Sequence, residues 1–291
     1  MRNSGVSGLL GLIRCPDCRE RSAVLDGRCT VCSRDFIVAS GVLDARPKTV
    51  PGGSSKNSTY YDCIACDGRS VLSRRAYSRN ANKKLHIVME SLQLARSLAG
   101  DVLEIGVGFG SHGSSIVEMG HRYVGVDIAL ASLIRARERH PSLEEAGLVA
   151  AEGTNLPFRD SAFDKVFCVA TLHHLVRPEE GTREMIRVLK PGGSLCIIEP
   201  RAHYPTQLWQ VITNPGVERS GLRVTERSVP RWLRRSGQMQ AISIARHIFT
   251  PNRPSVLSRV FDSIDDVCER SPWLSLCCAV MFTASGVKNE W

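Results

Sequence analysis

The sequence predicts an α/β fold: a doubly wound, mostly parallel sheet of seven strands, preceded by a small zinc ribbon. Three features predict it: apolar runs that alternate with amphipathic segments after residue 100, a glycine-rich loop directly after the first run, and two Cys-x-x-Cys pairs near the N-terminus. Regular alternation of strands and helices is typical of a parallel sheet that is covered by helices on both faces.

Seven apolar stretches are the predicted strands. The first five are DVLEIGV, HRYVGVDI, GLVAAEG, DKVFCVA and GSLCIIEP, and the last two are MQAISIARHIF and LSLCCAVMFTASGVK. Helical stretches such as ASLIRARERH and EEGTREMIRVLK lie between the central runs. Doubly wound sheets bind ligands at the carboxyl ends of their strands, so the functional site is expected there.

Composition divides the chain into four parts. We expect a cysteine-punctuated zinc ribbon over 12–46, a Pro/Gly/Ser-rich linker over 47–59, a helical cap over 60–100 and the main domain over 101–288. At 291 residues the chain is long enough for one large domain or two modest ones. The ribbon is expected to have a core separate from that of the main domain.

The chain has the composition of an ordinary globular protein, 43% hydrophobic and 23% charged. No apolar stretch reaches the length of about 18 residues that indicates a membrane span, so no membrane insertion is expected. The N-terminus has a short apolar patch without a small-residue cleavage site, which argues against a signal peptide. Eleven cysteines without such a signal indicate a reducing, cytoplasmic location.

The N-terminal cysteines are spaced as metal ligands. Cys15 and Cys18 form one pair, and Cys29 and Cys32 form the second. Two such knuckles place four thiolates around a zinc ion, and a closed four-cysteine site is structural because it leaves no open position. A redox dithiol is the weaker alternative, since it needs only one pair. A third pair, Cys63 and Cys66, lacks a partner pair and is expected only to pack.

The loop LEIGVGFGSHG raises the question of which nucleotide it holds. Its glycines partly match the dinucleotide pattern G-x-G-x-x-G, but the strand ends at Ile105, so Gly106 is the first glycine and Ser111 stands where the last is required. Glu104 precedes the loop, and a carboxylate there suits an ammonium group better than a pyrophosphate. The loop alone leaves both kinds of ligand open.

The stretches that follow the loop carry a resemblance. Asp127 ends the second strand about twenty residues after the first glycine, where an acidic side chain accepts hydrogen bonds from ribose hydroxyls. AEGTNLPFRDSAFDKVFCVATLHHL and REMIRVLKPGGSLCIIEP come next. This ordered set resembles class I S-adenosylmethionine-dependent methyltransferases, and most nearly the type-11 branch that includes ubiquinone and menaquinone biosynthesis enzymes. The N-terminal ribbon resembles the leaders of ribosomal-RNA guanine methyltransferases and the zinc-binding activator subunit of tRNA methyltransferases.

The resemblance implies a set of donor-binding residues. They are Glu104 for the methionine amino group, Gly106, Gly108 and Gly110 for close backbone approach, Asp127 for the ribose, Ile128 beside the adenine, Glu152 for the adenine amino group, Gly153 for a backbone amide, and Thr171 at the reaction rim. Glu152 stands where the family usually has Asp, and Gly153 where it usually has Ala. The resemblance also implies that the last two strands form an antiparallel closing pair.

Candidate bases lie after the fourth and fifth strands. They are His174, His173, Glu199 and His203, of which we favour His174 because it follows the fourth strand at the ligand-binding edge. The ordinary histidine pKa of about 6.5 suits proton abstraction near neutral pH. A base is needed only where the acceptor carries a proton that must leave.

The net charge of +9, from 38 basic and 29 acidic residues, permits an anionic partner without requiring one. The excess is concentrated in 73–84 and in 218–235. The second segment overlaps a variable insertion, 201–237, that the resemblance implies to be a substrate lid. Its aromatic residues Tyr204, Trp209 and Trp232, together with its arginines, suit an acceptor with an anionic group.

The predicted function is methyl transfer from S-adenosylmethionine to a small-molecule acceptor of secondary or cofactor metabolism. One alternative is an RNA base methyltransferase that uses the zinc ribbon to bind rRNA or tRNA. Another is a non-catalytic, zinc-dependent interaction scaffold. The sequence predicts neither the acceptor atom nor the oligomeric state.

Overall fold

The computed structural model describes residues 9–20, 24–25, 27–49, 52–67, 74–96, 99–202, 212, 222–248 and 280–290. Within these ranges no helix has the length and apolar character needed to cross a membrane.

One large sheet organises the described part of the chain. Its strands are β3 (Ile37–Ala39), β4 (Val42–Asp44), β5 (Asp101–Ile105), β6 (Arg122–Asp127), β7 (Gly147–Ala150), β8 (Phe163–Val169), β9 (Leu189–Pro200), β10 (Met239–His247) and β11 (Met281–Lys288). Their spatial order is β10-β11-β9-β8-β5-β6-β7-β4-β3. Strands β5 to β9 pair in parallel, and β11 is antiparallel to both β9 and β10. The predicted doubly wound sheet is confirmed, each of its seven strands is present, and the last two close it antiparallel.

The structure adds two strands that the sequence did not predict for this sheet. Strand β4 pairs in parallel with β7, with Leu43 opposite Val149, and β3 forms the outer edge beside β4. The short strands β1 (Val24–Leu25) and β2 (Arg28–Cys29) form a separate hairpin. Val42 and Leu43 are fully buried, so the hydrophobic effect ties the N-terminal segment to the main sheet.

The expectation of a separate ribbon core is wrong. Cys15, Cys29 and Phe36 pack in the same buried cluster as Leu103 and Val149 of the central strands. A hydrogen bond from Asn155 Nδ2 to the Pro16 carbonyl, 2.9 Å long, joins the two parts further. The cause is the small size of the ribbon, which cannot bury its own apolar side chains and therefore covers the edge of the sheet.

Two helices precede the central strands, α1 (Gly52–Asp67) and α2 (Arg74–Ser91). Helix α1 begins inside the predicted linker, so residues 52–59 are helical rather than extended. The predicted linker contains Pro and Gly only up to Gly53, and the following residues continue as helix once their buried face meets the main domain. Ser54 and Asn57 are buried on that face.

The domain's other helices are α3 (Ser111–Glu118), α4 (Leu130–Arg139), α5 (Pro178–Val188) and α6 (Ser228–Arg235). Helix α5 begins with Pro178, followed by Glu179 and Glu180, and carries Arg187 in its last turn. That order suits the helix dipole and the missing N–H of proline. Cys168 and Cys196 are buried in their strands. Cys63, which was expected to pack, is instead exposed on α1.

Part of the predicted lid insertion is described, and it does not cover the cavity described below. Helix α6 packs its buried Val229 and Leu233 against the main domain. Trp232 lies instead with Arg187 and Lys288, in a groove that also contains Asp160. Tyr204, Trp209 and most of the remaining insertion lie outside the described residues.

Candidate active site

A cavity of about 380 Å³ opens at the carboxyl ends of β5, β6 and β8, where the strand order reverses. This is the place at which open α/β sheets bind ligands. Its lining is largely apolar with a few converging polar groups, as is usual for small-molecule sites. The predicted donor residues that line it are Gly106, Gly108, Asp127, Ile128, Glu152, Gly153 and Thr171.

The glycine loop owes its shape to two different requirements. Gly106 has a φ of +81°, and a Cβ there would come within 2.0 Å of Thr171 Oγ1, so only glycine fits beneath the rim. Gly108 also has a positive φ, but no atom lies within 4 Å of where its Cβ would be, so it leaves the cavity open. Gly110 does not line the cavity. It precedes α3, where an added Cβ would come within 2.7 Å of Leu143 and 2.9 Å of Ala136, and its predicted approach to the donor stays a prediction.

Asp127 is held in place by the backbone around it. Its carboxylate accepts hydrogen bonds from the amides of Gly108, at 2.9 Å, and Ala129, at 3.0 Å. Burial raises the pKa of the Asp127 carboxyl, and the charges of Asp62 and Glu104 add to that rise, while the two amides oppose it. The side chain lines the cavity with its remaining lone pairs, which suits acceptance from two ribose hydroxyls.

Glu152 presents a buried oxygen that has no partner in the described structure. The residue is 1% exposed, and its Oε1 accepts from the amide and hydroxyl of Thr154 at 3.3 and 3.2 Å. Its Oε2 is buried without a hydrogen bond. Since an unpaired buried carboxylate oxygen is costly, the position indicates a missing donor such as an exocyclic amino group.

Glu104 is not among the residues that line the cavity, and its predicted hold on the methionine amino group, directly or through water, stays a prediction. It is fully buried and accepts a hydrogen bond from the Tyr123 hydroxyl at 2.5 Å. Its other oxygen lies 3.0 Å from His112 Nδ1. His112, which the sequence reasoning missed, lines the cavity in its place. The sequence signal that could have identified His112 is its position directly after the glycine loop, in the stretch GSHG.

Around the turn after β8, the candidate bases differ in whether they line the cavity. Glu199 is fully buried and accepts from the amides of Thr171 and Leu172, at 2.8 and 2.7 Å, and contacts His173 Nδ1 at 2.7 Å. Neither Glu199 nor His173 lines the cavity, because both hold the turn from below. His174 does line it. His203 lies outside the described residues.

His174 is oriented by two neighbours. Its Nε2 lies 2.9 Å from the Tyr61 hydroxyl, and its ring contacts that of His173 at a tilt of 46°, with centroids 3.8 Å apart. The Asn57 side chain also donates a hydrogen bond to the His174 carbonyl, 2.5 Å long. The histidine that faces the cavity is therefore fixed by helix α1 on one side and by the Glu199–His173 pair on the other.

The N-terminal helices supply further residues that the sequence reasoning missed. Ser54, Asn57 and Tyr61 of α1 line the cavity, and their spacing places them on one helix face. Lys84 of α2 lines it as well. Burial lowers the pKa of Lys84, and the charge of Glu199 offsets part of that effect.

The four N-terminal cysteines meet at one point. Their sulfur atoms all lie within 4.8 Å of one another, with Cys15 to Cys32 and Cys18 to Cys29 each 3.6 Å apart. Four thiolates at about 2.3 Å from a zinc ion would place sulfur atoms about 3.8 Å apart in a tetrahedron. The cluster therefore fits a closed zinc site. The amide of Cys32 points at Cys29 Sγ, at 3.5 Å, a common support for a metal-bound thiolate.

Comparison with known proteins places this geometry in context. Residues 103–197 match the model of a methyltransferase domain family. A demethylmenaquinone methyltransferase of Paenarthrobacter aurescens is 34% identical over 109 residues, 38% of this chain and 42% of the relative. A sterol 4-C-methyltransferase of Caenorhabditis elegans is 30% identical over 123 residues, 41% of this chain and 36% of the relative. The chain thus spans about two fifths of the length of the curated relatives it matches.

Solved structures support the fold. The [4+2]-cyclase SpnF superposes with a TM-score of 0.58 at 16% identity, covering 83% of this chain and 98% of that one. Phosphoethanolamine N-methyltransferase 2 of Haemonchus contortus, in complex with S-adenosylmethionine, also gives 0.58, at 17% identity over 84% of this chain and 61% of that one. At these identities the likeness shows the fold alone.

Residues 103–197 are thus similar to a methyltransferase domain, and the sheet order around them is that of a Rossmann-like fold. Outside the matched residues, the N-terminal cysteine segment extends the sheet beyond β7 through strand β4.

Proposed function

We propose that this protein transfers a methyl group from S-adenosylmethionine to a small-molecule acceptor of cofactor or secondary metabolism. One observation carries the proposal. The cavity at the strand ends is lined by Asp127, whose carboxylate two backbone amides hold, and by Glu152, whose Oε2 is buried without a partner; both lie on the β6–β7 side of the open glycine loop. These groups match a ribose diol and an adenine amino group.

The chain's own part in the reaction is to bind and to orient. S-adenosylmethionine supplies a methyl group already activated by its sulfonium, so in-line displacement needs little more than alignment. Asp127 accepts from the ribose, Glu152 from the adenine, and Ile128 packs beside the base. Thr171 lies against Gly106 at the cavity rim and would border the reacting group of a bound donor.

His174 is the proposed general base for an acceptor that loses a proton. It faces the cavity, and Tyr61 and His173 hold its ring. The proton of an acceptor hydroxyl or acidic carbon passes to the imidazole as the bond to the methyl carbon forms. Glu199 and His173 keep the turn in place and are proposed as positioning residues.

The small-molecule acceptor is supported by the names of the relatives, which act on demethylmenaquinone and on a sterol according to those names. The cavity supports it as well, because helices α1 and α2 contribute part of its wall and leave a volume of about 380 Å³, which suits a small molecule. An anionic acceptor group is supported by Lys84 at the cavity wall. The arginines of α6 do not support it, since that helix lies elsewhere.

RNA methylation is the second candidate, and a surface feature favours it. Helix α6 and the residue before it present the exposed Arg227, Arg231, Arg234 and Arg235. RNA bound there would be retained at low salt and released steeply as salt rises, with about one counterion-release step per phosphate contact. If the retention of RNA responds neither to salt nor to replacement of these arginines, RNA methylation is excluded as a function of this surface.

A structural zinc ion at Cys15, Cys18, Cys29 and Cys32 belongs to the same proposal. The sulfur positions support it. The ion would stabilise the N-terminal segment without taking part in the reaction, because four protein ligands close its coordination sphere.

The experiment that tests the function combines binding with identification of the acceptor. Calorimetry of the purified full chain with S-adenosylmethionine and S-adenosylhomocysteine should show binding at one site. Extracts of cells with the gene, without it, and with the Asp127→Ala form should then be compared by mass spectrometry for a metabolite that differs by one methyl group. A protein that binds neither ligand would be a scaffold rather than an enzyme, contrary to the proposal.

A further inference from the structure

We propose that the N-terminal cysteine segment, residues 9–48, clamps the cavity loop that carries Glu152, so that zinc binding and donor binding strengthen each other. Asn155 is the positioning residue that passes this effect between the two sites. The inference rests on the proposed function and adds a coupling to it. It gives a bound zinc ion an influence on donor affinity as well as on the stability of the fold.

The clamped loop, residues 151–155, lies between two contacts with the cysteine segment. Before the loop, β4 pairs with β7 up to Ala150, and the Ala45 amide donates to the Ala150 carbonyl at 2.8 Å. At the end of the loop, the Asn155 side chain donates to the Pro16 carbonyl at 2.9 Å. The buried residues of the cavity wall that lie between these two contacts are Ala151, Glu152 and Gly153.

The sulfur cluster joins the two ends of this clamp. Pro16 directly follows Cys15, whereas Ala45 lies beyond Cys32, so the two contacts come from stretches on either side of the cluster. An ion held by all four sulfur atoms would close the chain between these stretches and fix their separation. Without the ion, each end could move by itself, and the loop between them would lose its fixed position.

Arg34 links the same two stretches on the protein side. Its guanidinium donates to Asp17 Oδ2 at 2.8 Å and to the Arg46 carbonyl at 2.5 Å. Asp17 follows Pro16 and Arg46 follows Ala45, so this arginine spans the clamp one residue beyond each loop contact. The clamp is therefore already formed by the protein, and the ion would make it rigid.

Inside the loop, Asn155 is joined to the residue proposed to bind the adenine. The Asn155 amide donates to the Glu152 carbonyl at 3.0 Å. Thr154 holds the side chain of Glu152, because its amide and hydroxyl donate to Oε1 at 3.3 and 3.2 Å. A displacement of the Pro16 carbonyl would thus reach Glu152 through the two hydrogen bonds that Asn155 donates.

Covering the edge of the sheet accounts for only half of this arrangement. The pairing of β4 with β7 covers that edge, and the buried side chain of Leu9 lies over Gly147 at its start. Edge covering does not require the second contact, which lies beyond the end of β7. After Asn155 the chain is also anchored by α5, where Arg187 donates to the Phe158 carbonyl at 2.7 Å. The loop before that anchor is the part that the cysteine segment bounds at both ends.

The experiment measures whether the zinc affinity of the full chain depends on S-adenosylhomocysteine, because coupling between two binding sites is reciprocal. The zinc-loaded chain is titrated with a chelator of known affinity, with and without saturating S-adenosylhomocysteine. The ratio of the two zinc affinities is the coupling factor. We expect a factor of about five or more in the wild type, the lower end of the usual range.

Asn155→Ala should remove the coupling while all four cysteines stay in place. Its coupling factor should fall below about twofold. Calorimetry should show that the zinc-loaded variant binds S-adenosylhomocysteine more weakly than the wild type, by about the factor that the wild type shows as coupling. Asn155→Asp keeps the size of the side chain but cannot donate to the Pro16 carbonyl, so it should behave in the same way.

Asp127→Asn is the matched control for weaker donor binding. It lies on the ribose side of the proposed donor site, and the clamp does not involve its side chain. Its affinity for S-adenosylhomocysteine should therefore fall, whereas its coupling factor at saturating ligand should equal the wild-type value. The wild-type titration requires no variant, so it tests the inference even if neither Asn155 variant folds.

Four results would overturn the inference. A wild-type coupling factor of one would show that the two sites are independent. The wild-type factor in both folded Asn155 variants would show that coupling acts through the stability of the shared core. Loss of coupling in Asp127→Asn would show that it follows ligand affinity alone. A chain that binds no zinc would have no clamp of this kind. A wild-type chain that binds zinc but not S-adenosylhomocysteine would instead contradict the proposed function.

Discussion

Asp127 both shapes the glycine loop and lines the cavity. Its carboxylate accepts from the amides of Gly108 and Ala129, so it shapes the glycine loop while its other lone pairs face the cavity. An aspartate at this position was predictable from its place at the end of the second strand. The sequence did not predict that helix α1 brings Asp62 close enough for its charge to raise the pKa of Asp127.

Replacing Asp127 by alanine should weaken donor binding. The loss of charge-assisted hydrogen bonds to the ribose costs about 1.5–3 kcal/mol, which is roughly tenfold or more in affinity. Calorimetry with S-adenosylhomocysteine measures it, and a thermal melt confirms that the variant is folded. Wild-type affinity in the folded variant would contradict the assigned ribose contact.

Donor affinity of the wild type should fall on acidification. The ionised carboxylate is the form that accepts, and the raised pKa of Asp127 means that it protonates at a pH above the ordinary value of about 3.9. Affinity is therefore full above the raised pKa and lost as the pH falls through it. Calorimetry across that range, with Asp127→Asn as the variant without this titration, checks the sign. An identical acid response in both proteins would assign it elsewhere, to Glu152 for example.

Turnover should depend on His174 where the acceptor is a hydroxyl or an acidic carbon. Loss of a general base lowers the rate by about 10²-fold or more, so His174→Ala should show that loss with donor affinity nearly unchanged. His86→Ala, on the exposed face of α2, is the matched control. For an uncharged amine acceptor the loss should be small, because nitrogen attacks before its proton leaves. Full turnover on a hydroxyl acceptor would exclude His174 as the base.

At the scale of the element, helix α1 caps the N-terminus of helix α4. The residue before α4 is Ala129, which offers no side-chain cap, and the amide of Ala131 donates instead to Asp62 Oδ1 at 2.9 Å. The Ser58 hydroxyl donates to the Ile128 carbonyl at 3.3 Å. Since the same helix presents Tyr61 and Asn57 to the cavity, the cap also fixes the cavity wall.

Asp62→Ala should therefore act in two ways. Loss of a helix cap costs about 1 kcal/mol in the free energy of unfolding, which urea denaturation measures. Removing the negative charge of Asp62 should also lower the pKa of Asp127 and move the acid loss of donor affinity to lower pH. Asp62→Asn keeps an acceptor for the Ala131 amide and should retain most of the stability but show the same pH shift. A shift in neither variant would show that Asp62 does not influence Asp127.

At the scale of the whole molecule, the cysteine segment is part of the main fold. Its side chains share a core with the central strands, and β4 extends the sheet beside β7. Asp17, between the first two cysteines, accepts from Arg34 at 2.8 Å and from the Lys48 amide at 3.0 Å. Lys48 lies shortly before α1, so the segment is linked through this helix to the cavity.

Loss of the metal should accordingly affect the whole protein. The full chain should carry about one zinc ion, and a Cys15→Ser, Cys18→Ser double variant should lose it. Because the core is shared, we expect the melting temperature of the single cooperative transition to fall, rather than local disorder alone. Metal analysis measures the zinc content and calorimetry the melting temperature. Cys63→Ser is the control, because Cys63 is exposed on α1 and lies outside the cluster. Metal retained in the double variant would exclude these ligands, and an unchanged melting temperature would contradict the shared core.

The sequence by itself determined the features that depend on local spacing. Apolar runs alternating with amphipathic stretches fixed the order of the seven strands, two Cys-x-x-Cys pairs predicted the sulfur cluster, and glycines after β5 with an acid after β6 predicted where the cavity forms. Each of these follows from residues that are close in the chain or from strand ends that a parallel sheet necessarily aligns.

Only the tertiary structure decided which of the predicted side chains line the cavity. The sequence predicts Glu104 and Glu199 as site residues, yet both are fully buried. Glu104 lies behind His112, and Glu199 lies beneath the turn that carries His174. Tyr61 and Asn57 come from a helix begun within a predicted linker. The physical reason is that side-chain direction and burial depend on what packs against an element. Those partners, the zinc segment included, come from parts of the chain that are distant in sequence.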